Sequence, residues 1–289
     1  MNILSIQSHV AFGHVGNRSA VFPLERLGYE VWPVNTVQFS CHAGMPGWTG
    51  SVFGADHVSD VVRGLGRLGI MPSCDAVLSG YMGDVETGAA IMAAVDAVKK
   101  ANPEAVYCCD PVMGDLPGGV YVQDGLPEFI TAQAVPRADI VCPNCFEAGL
   151  LGRSPTRGIE SAIDTPAGAA RVADAIHELG PRIVMITSYR PAGEESIGFF
   201  VSDLSVRRVV TAPMLPFGKP PKGSGDLASA LFLGYYLTSR DVVLAMEATT
   251  DALYSVLEAT LASGHDELAI IAAQDCIASP ARRFRSEPA

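Results

Sequence analysis

Short β-branched apolar runs alternate along this chain with segments of helical period, and each run ends in polar or glycine residues. Asn2 to Gln7 is the first run. Ser19 to Leu27 has helical periodicity, stopped by Gly28, and Glu30 to Val37 is the second run. Strand–helix–strand order of this kind builds a parallel sheet with helices packed on its faces. The alternation continues with a helix over Asp56 to Leu68, a strand over Asp75 to Ser79, a helix over Val85 to Lys100 and a strand over Ala105 to Cys109. A helix near 126 to 134, a strand over Asp139 to Cys142, a helix over Ala167 to Leu179 and a strand over Arg182 to Ile186 come next. Ser196 to Val201 and Val206 to Thr211 read as a hairpin that adds an antiparallel edge. Two helices, one beginning near 226 and one over Asp241 to Leu261, precede a last strand at Leu268 to Ala272. No linker or internal repeat interrupts the pattern. The expectation is a single α/β domain over residues 1–289, a three-layer sandwich with a mostly parallel central sheet, an antiparallel edge and helices on both faces. Residues 282–289 would be a loosely held tail.

With 48% hydrophobic residues in 289, such a chain has ample material for a core. Its net charge of −11 argues against nucleic acid or an anionic membrane surface as partner, because both need a basic face. No apolar run has membrane-spanning length, and the N-terminus reads straight into a strand without a basic region or cleavage site, so the expected location is the cytoplasm. Seven cysteines, an odd number scattered through apolar segments, predict reduced and mostly buried thiols. Cys142 and Cys145 have C-x-x-C spacing, but they end a strand far from the start of the chain, and no second pair completes a zinc site.

In open α/β sheets ligands bind beyond the carboxyl ends of the strands, so the residues there carry the argument about function. The stretch Lys222-Gly223-Ser224-Gly225-Asp226 precedes residues apolar at 227, 230, 231 and 234, a core-facing helical spacing. The glycines then sit where a helix begins, with free N–H groups and the positive end of the macrodipole directed at whatever lies ahead. Such a start receives anions, and glycine lets a phosphate approach the backbone. Asp226 in the first turn would stand beside that anion, placed to take a proton from an attacking hydroxyl. The same four residues would also serve as a plain helix cap. Asp110 ends one strand, Asp115 lies in the loop after it, and Glu147 follows Pro143-Asn144 at the end of another. Set above one sheet edge, these carboxylates suit Mg²⁺, which takes one or two carboxylates plus water and substrate phosphates. The loop Gln38 to Gly50, with His42, Trp48 and Thr49, is a further ligand-site candidate or an ordinary surface connection.

Gln7-Ser8-His9-Val10, Gly13, Val15-Gly16-Asn17-Arg18, Val37-Gln38-Phe39-Ser40, Gly80-Tyr81, Asp110-Pro111-Val112-Met113-Gly114, Pro143-Asn144-Cys145-Phe146-Glu147 and Gly223-Ser224-Gly225-Asp226 occur in that order. Over nearly the whole chain this resembles the bacterial pyridoxal kinases of the ribokinase-like superfamily. The resemblance implies ATP-dependent phosphorylation of the 5′-hydroxyl of pyridoxal, and of the pyridoxine and pyridoxamine vitamers, to supply pyridoxal 5′-phosphate by vitamin B6 salvage. It implies Mg²⁺, a monovalent cation and a homodimer. Asp226 is then the base, with the N–H groups of Gly223, Ser224 and Gly225 holding the transferred phosphate. Asp110, Asn144 and Glu147 place Mg²⁺, Asp110 and Glu147 through water. Thr187 and Ser188 lie near the nucleotide phosphates, and Asp115 lies in the loop that covers ATP. Lys222, just before the glycines, reads from its place as an extra positive charge beside the phosphate site or as an exposed loop lysine. Ser8, Val15 and Tyr81 surround the pyridine ring, with His42 in the loop beside them. A hydroxymethylpyrimidine kinase and a non-catalytic binder of pyridoxal or its phosphate are the alternatives.

The sequence departs from the family's pattern at several points. Ser40-Cys41-His42-Ala43 stands where Ser-Asn-His-Thr is usual, which removes a hydroxyl from the pyridine site, and Met45 replaces an aromatic residue. Val120 stands about where some bacterial members have a cysteine, and Cys142 where relatives often have a threonine. These changes bear on which vitamer is preferred and on cation binding. Loss of one polar contact shifts discrimination by a few kcal/mol at most.

Overall fold

A computed structural model describes residues 1–152 and 163–289. The chain opens with β1 (Asn2–Val10), α1 (Asn17–Arg26), β2 (Glu30–Phe39), the three-residue strand β3 (Gly50–Val52) and α2 (Ala55–Arg67). Next come β4 (Cys74–Ser79), α3 (Val85–Ala101) and β5 (Val106–Cys109). A two-stranded hairpin, β6 (Gly114–Asp115) with β7 (Gly119–Val120), stands apart from the main sheet. α4 (Leu126–Phe129) continues through irregular helical turns to Arg137 before β8 (Ile140–Val141) and α5 (Cys145–Leu151). Then follow α6 (Pro166–His177), β9 (Ile183–Tyr189), β10 (Ser196–Ser202), β11 (Arg207–Pro213), α7 (Ser224–Ser239), α8 (Val242–Ser263), α9 (Gln274–Ala278) and β12 (Glu287–Pro288).

Among the described residues the main sheet has ten strands in the order β12-β11-β10-β9-β8-β5-β4-β1-β2-β3. The run from β9 to β2 is parallel. β10, β11 and β12 extend one side antiparallel, and β3 closes the other side antiparallel to β2. The expected antiparallel edge is therefore present, and a second one faces it across the sheet. β4 and β5 are buried along nearly their whole length, as the continuous apolar runs require of strands covered on both faces. One layer of core lies between the sheet and α2, α3, α5 and α6, with Val62, Ile91, Val95, Leu151 and Ile176 facing Leu4, Val77 and Tyr107. On the other face α1, α7 and α8 contribute Leu24, Phe232 and Met246 against Ile3, Leu78 and Cys108. α7 is buried at every position from Leu227 to Gly234, because the sheet covers one side and α8 the other.

The structure corrects two expectations about the C-terminal region. Leu268 to Ala272 is a turn-rich segment and not a strand. Leu268 and Ile270 alternate as a strand's residues would, but their side chains anchor a loop against Leu227 and Leu231 of α7, and the backbone N–H of Ala269 donates to the Thr260 hydroxyl. Residues 282–289 are tied down and not loose. The N–H groups of Arg283 and Phe284 donate to Asp251, Ser286 donates twice to Glu247, and Glu287–Pro288 pairs with Arg208–Val209.

Candidate active site

The glycine-rich stretch begins α7, as its sequence requires. Gly223 is the N-cap in the left-handed conformation, with φ 86°, and a Cβ there would run into the His14 carbonyl and the Ser19 hydroxyl. Only glycine meets both demands. Gly225, two residues on, faces open space. The first N–H groups of a long buried helix thus point into a gap, with the helix dipole behind them. Asp226 follows in the first turn, half-buried. Burial raises its carboxyl to about 6, opposed by a hydrogen bond from the Gly16 N–H. At neutral pH it is largely ionised and remains a stronger base than an exposed carboxylate.

The loop that supplies Gly16 connects β1 to α1 and is fixed from several sides. A Cβ on Gly16 would overlap Ser8, so Ser8 lies directly against this loop. The Ser19 hydroxyl donates to the His14 carbonyl at 2.7 Å. Asn17, at the start of α1, accepts from Ser5 and donates to Asn35 and the Val34 carbonyl, a buried network that locks the helix start onto β1 and β2. Ser8, Gly16, Gly223 and Asp226 are thereby brought together. Val15 lies half-buried in the same loop.

Beyond the parallel strands the ladder runs on for another residue or two. Asp110 donates its N–H to Ser79, Thr187 donates to Pro143, and Asn144 and Thr187 pair as an isolated bridge. This places Asp110, Asn144 and Thr187 side by side at the sheet's carboxyl edge. Asn144 caps α5 by accepting from the Glu147 N–H, and Glu147 returns the bond by accepting from the Asn144 N–H, a capping box. The other Glu147 oxygen accepts from the Met113 N–H, and the Asn144 amide reaches the Gly114 carbonyl, which ties the chain after Asp110 to α5. Glu147 is 3% exposed, and burial lifts its carboxyl to about 7 against those backbone donors. Asp110 is 5% exposed and is driven well above the usual carboxylate range, first by burial, then by the charges of Glu147 and Asp226, with a Ser229 hydroxyl bond opposing. Three carboxylates converge here and repel one another. Among the described residues no three His, Cys, Asp or Glu side chains form a ready-made metal cage. The hard oxygens of Asp110 and Glu147, enclosed and mutually repelling, fit a Mg²⁺ ion held largely by water and phosphate.

Asp115, on the outlying hairpin, accepts from the Lys222 ammonium at 2.9 Å. The two positions are thus brought together across the mouth of the site, in an exposed pair. His42 lies in the loop after β2, its imidazole accepting from the Gly44 N–H. Burial lowers its pKa, and Glu267, Lys219 and Lys222 are the charges it feels, which places it on the same rim. Tyr81 follows β4, its carbonyl accepting from Thr36, and burial raises its phenol. Ser188 is exposed at the end of β9 with φ 59°, a left-handed conformation uncommon for serine. The two thiols of the C-x-x-C sequence face different partners: Cys142 lies against Cys108, and Cys145 donates to the Thr187 and Ser188 carbonyls.

Thr187, Ser188, Ser224 and Gly225 open onto a mostly apolar cleft whose walls are Ile197, Phe199, Ala212, Leu253, Tyr254 and Leu257. Sequence reasoning passed over these wall residues. They come from β10, β11 and α8, and as ordinary apolar positions of a hairpin and a helix they carry no chemical signature. A flat heteroaromatic base fits such a lining.

Comparison with known proteins agrees with this arrangement. The family model described as phosphomethylpyrimidine kinase matches residues 72–270. A pyridoxal kinase PdxY of Rubrobacter xylanophilus is 48% identical over 287 residues, covering 98% of this chain and 96% of that protein. A pyridoxal kinase PdxY of Deinococcus radiodurans is 43% identical over 288 residues, covering 99% of this chain and 96% of that protein. Among solved structures, pyridoxal kinase from Leishmania donovani in complex with ADP and pyridoxamine superposes with a TM-score of 0.87 at 27% identity, covering 100% of this chain and 99% of the other.

Proposed function

The chain belongs to the pyridoxal kinase family of the ribokinase-like superfamily, and from that premise we propose how its cleft works. It transfers the terminal phosphoryl group of ATP to the 5′-hydroxyl of pyridoxal, giving pyridoxal 5′-phosphate and ADP in vitamin B6 salvage. The observation that carries the reading is the half-buried Asp226 carboxylate in the first turn of α7, next to amides that open onto the cleft.

In the proposed mechanism Asp226 accepts the hydroxyl proton as the oxygen–phosphorus bond forms and the bond between the terminal phosphorus and the ADP oxygen breaks. The N–H groups of Gly223, Ser224 and Gly225 hold the transferred group and its growing charge. Ser8, Val15, His42 and Tyr81 contact the vitamer. Asp115, Asn144, Thr187, Ser188 and Lys222 surround the nucleotide phosphates, with the base between Phe199 and Tyr254. Asp110 and Glu147 would hold Mg²⁺ through water, and the ion would supply charge neutralisation for the phosphates. We place the enzyme in the cytoplasm as a single-domain protein, and by family resemblance as a subunit of a homodimer with a monovalent cation assisting. Among the described residues no helix is long and apolar enough to cross a membrane.

Incubation with ATP, Mg²⁺ and each of the three vitamers tests the proposal. Formation of pyridoxal 5′-phosphate matched by ADP release supports it, and pyridoxal binding without ADP release refutes it in favour of a binder. The matching family description and the hydroxyl missing at Ala43 favour one second reading, a hydroxymethylpyrimidine kinase. Steady-state rates on the two alcohols side by side separate them.

A further inference from the structure

Glu267 lies far from the motifs in sequence, yet its carboxylate meets the loop on which the site is assembled. It accepts from the His14 N–H at 3.1 Å, and a Cβ on Gly13 would overlap it. Gly13 has φ 92°, so the chain turns sharply against this carboxylate. The same loop touches three parts of the proposed machinery. The His14 carbonyl packs on Gly223, the Gly16 N–H donates to Asp226, and Gly16 lies against Ser8. Glu267 itself is held in place: Leu268 and Ile270, immediately after it, are fully buried against Leu227 and Leu231 of α7. The loop is therefore gripped between α7 on one side and a carboxylate anchored to α7 on the other.

We propose that Glu267 is a positioning residue for phosphoryl transfer, one that sets the Gly13–Gly16 loop and through it the placement of Asp226, Gly223 and Ser8. The inference rests on the kinase reading above. In-line transfer is sensitive to misplacement, and a displacement of about 1 Å in such a loop costs about 10- to 100-fold in rate. The nucleotide base is held by the cleft between β10, β11 and α8, which Glu267 does not line. Its loss should therefore lower kcat and weaken vitamer binding while leaving the KM for ATP within about twofold.

The test compares the wild type with Glu267→Ala, Glu267→Gln, Gly13→Ala and the Glu267→Ala/Gly13→Ala double variant. Each is assayed for steady-state kinetics with pyridoxal, for thermal unfolding and for amide hydrogen exchange of residues 13–17 in the free protein. The expected result for Glu267→Ala is faster exchange in 13–17, a kcat lowered about 10-fold or more and an unchanged KM for ATP. Glu267→Gln, which can still accept from His14, should restore most of the rate and the slow exchange. The double variant should be no slower than Gly13→Ala alone, since both act on one loop. Wild-type exchange in 13–17 of Glu267→Ala overturns the proposal. So does equal damage in the Ala and Gln variants, or a fall in kcat explained by a smaller folded fraction. Exchange is read without turnover, so the two failures differ: an inactive wild type would refute the kinase reading and with it any role of Glu267 in transfer, whereas an active wild type with unchanged exchange in Glu267→Ala would refute this inference alone.

Discussion

Replacing Asp226 with asparagine should move activity and stability in opposite directions. The carboxyl is raised from its ordinary 3.8 to about 6, chiefly by burial. A group whose folded-state pKa lies above its unfolded value contributes stability that is present below the unfolded pKa and lost as pH rises through the folded one. The wild type should thus lose stability between about pH 4 and 6, by up to about 3 kcal/mol at ~1.4 kcal/mol for each tenfold change in proton affinity. An asparagine there would carry no proton to lose, yet its amide oxygen can still accept from Gly16. The variant should therefore match or exceed the wild type in Tm at pH 8, by up to roughly 5 °C for a chain of this size, with the advantage gone at pH 4. Turnover should fall about 10²-fold or more, ~2.7 kcal/mol of barrier, because an amide cannot take the hydroxyl proton. Affinity for ATP should stay within about twofold, since the cleft walls are untouched. The assays are thermal unfolding from pH 4 to 8, titration with a non-hydrolysable ATP analogue, and steady-state phosphorylation of pyridoxal. A turnover within about tenfold of wild type would refute Asp226 as base, and a Tm deficit equal at pH 4 and pH 8 would refute the account of its burial.

Other substitutions separate cradle, scaffold and rim. Gly223→Ala should unfold at lower temperature and lose activity, because φ 86° alone costs a side chain about 1–2 kcal/mol and the Cβ meets His14. Gly225→Ala meets nothing and should keep the wild-type Tm while weakening ATP binding and turnover, as thermal scans and nucleotide titration would show. Glu147→Ala leaves the N–H groups of Met113 and Asn144 without their acceptor in a buried setting, at about 1–3 kcal/mol for each, and should melt well below wild type. Lys222→Ala breaks an exposed pair worth about 1 kcal/mol at most, so Tm should hardly move. An unchanged turnover in that variant would exclude Lys222 from phosphate handling.

The fold was legible because burial on both faces writes itself into sequence as continuous apolar runs, and here those runs alternate with helical periods. The glycines, Asp226 and the strand-end carboxylates were legible for a related reason: a left-handed cap and an anion site admit few residue types. The misreading at Leu268 to Ala272 shows the limit. Alternating apolar residues look alike whether they pair in a sheet or anchor a loop to a helix, and only the tertiary surroundings tell them apart. The tail misled in the same way, since its polar sequence conceals that Asp251 and Glu247 wait on α8 to bind it. The cleft walls Phe199 and Tyr254, and the carboxylate of Glu267, serve through the company they keep across the fold, which no local pattern announces.

The helix that carries the glycine cap and Asp226 is buried at every position from Leu227 to Gly234, and that has a bearing on how such a protein can adapt. Sliding or tilting α7 would disturb two layers of core at once, so it behaves as a fixed post. What remains free to be rewritten are pieces at the rim: the hairpin bearing Asp115 and the 40–49 segment with its unusual Cys41, Ala43 and Met45. Substrate range can drift at that perimeter, residue by residue, while the transfer chemistry stays where the post holds it.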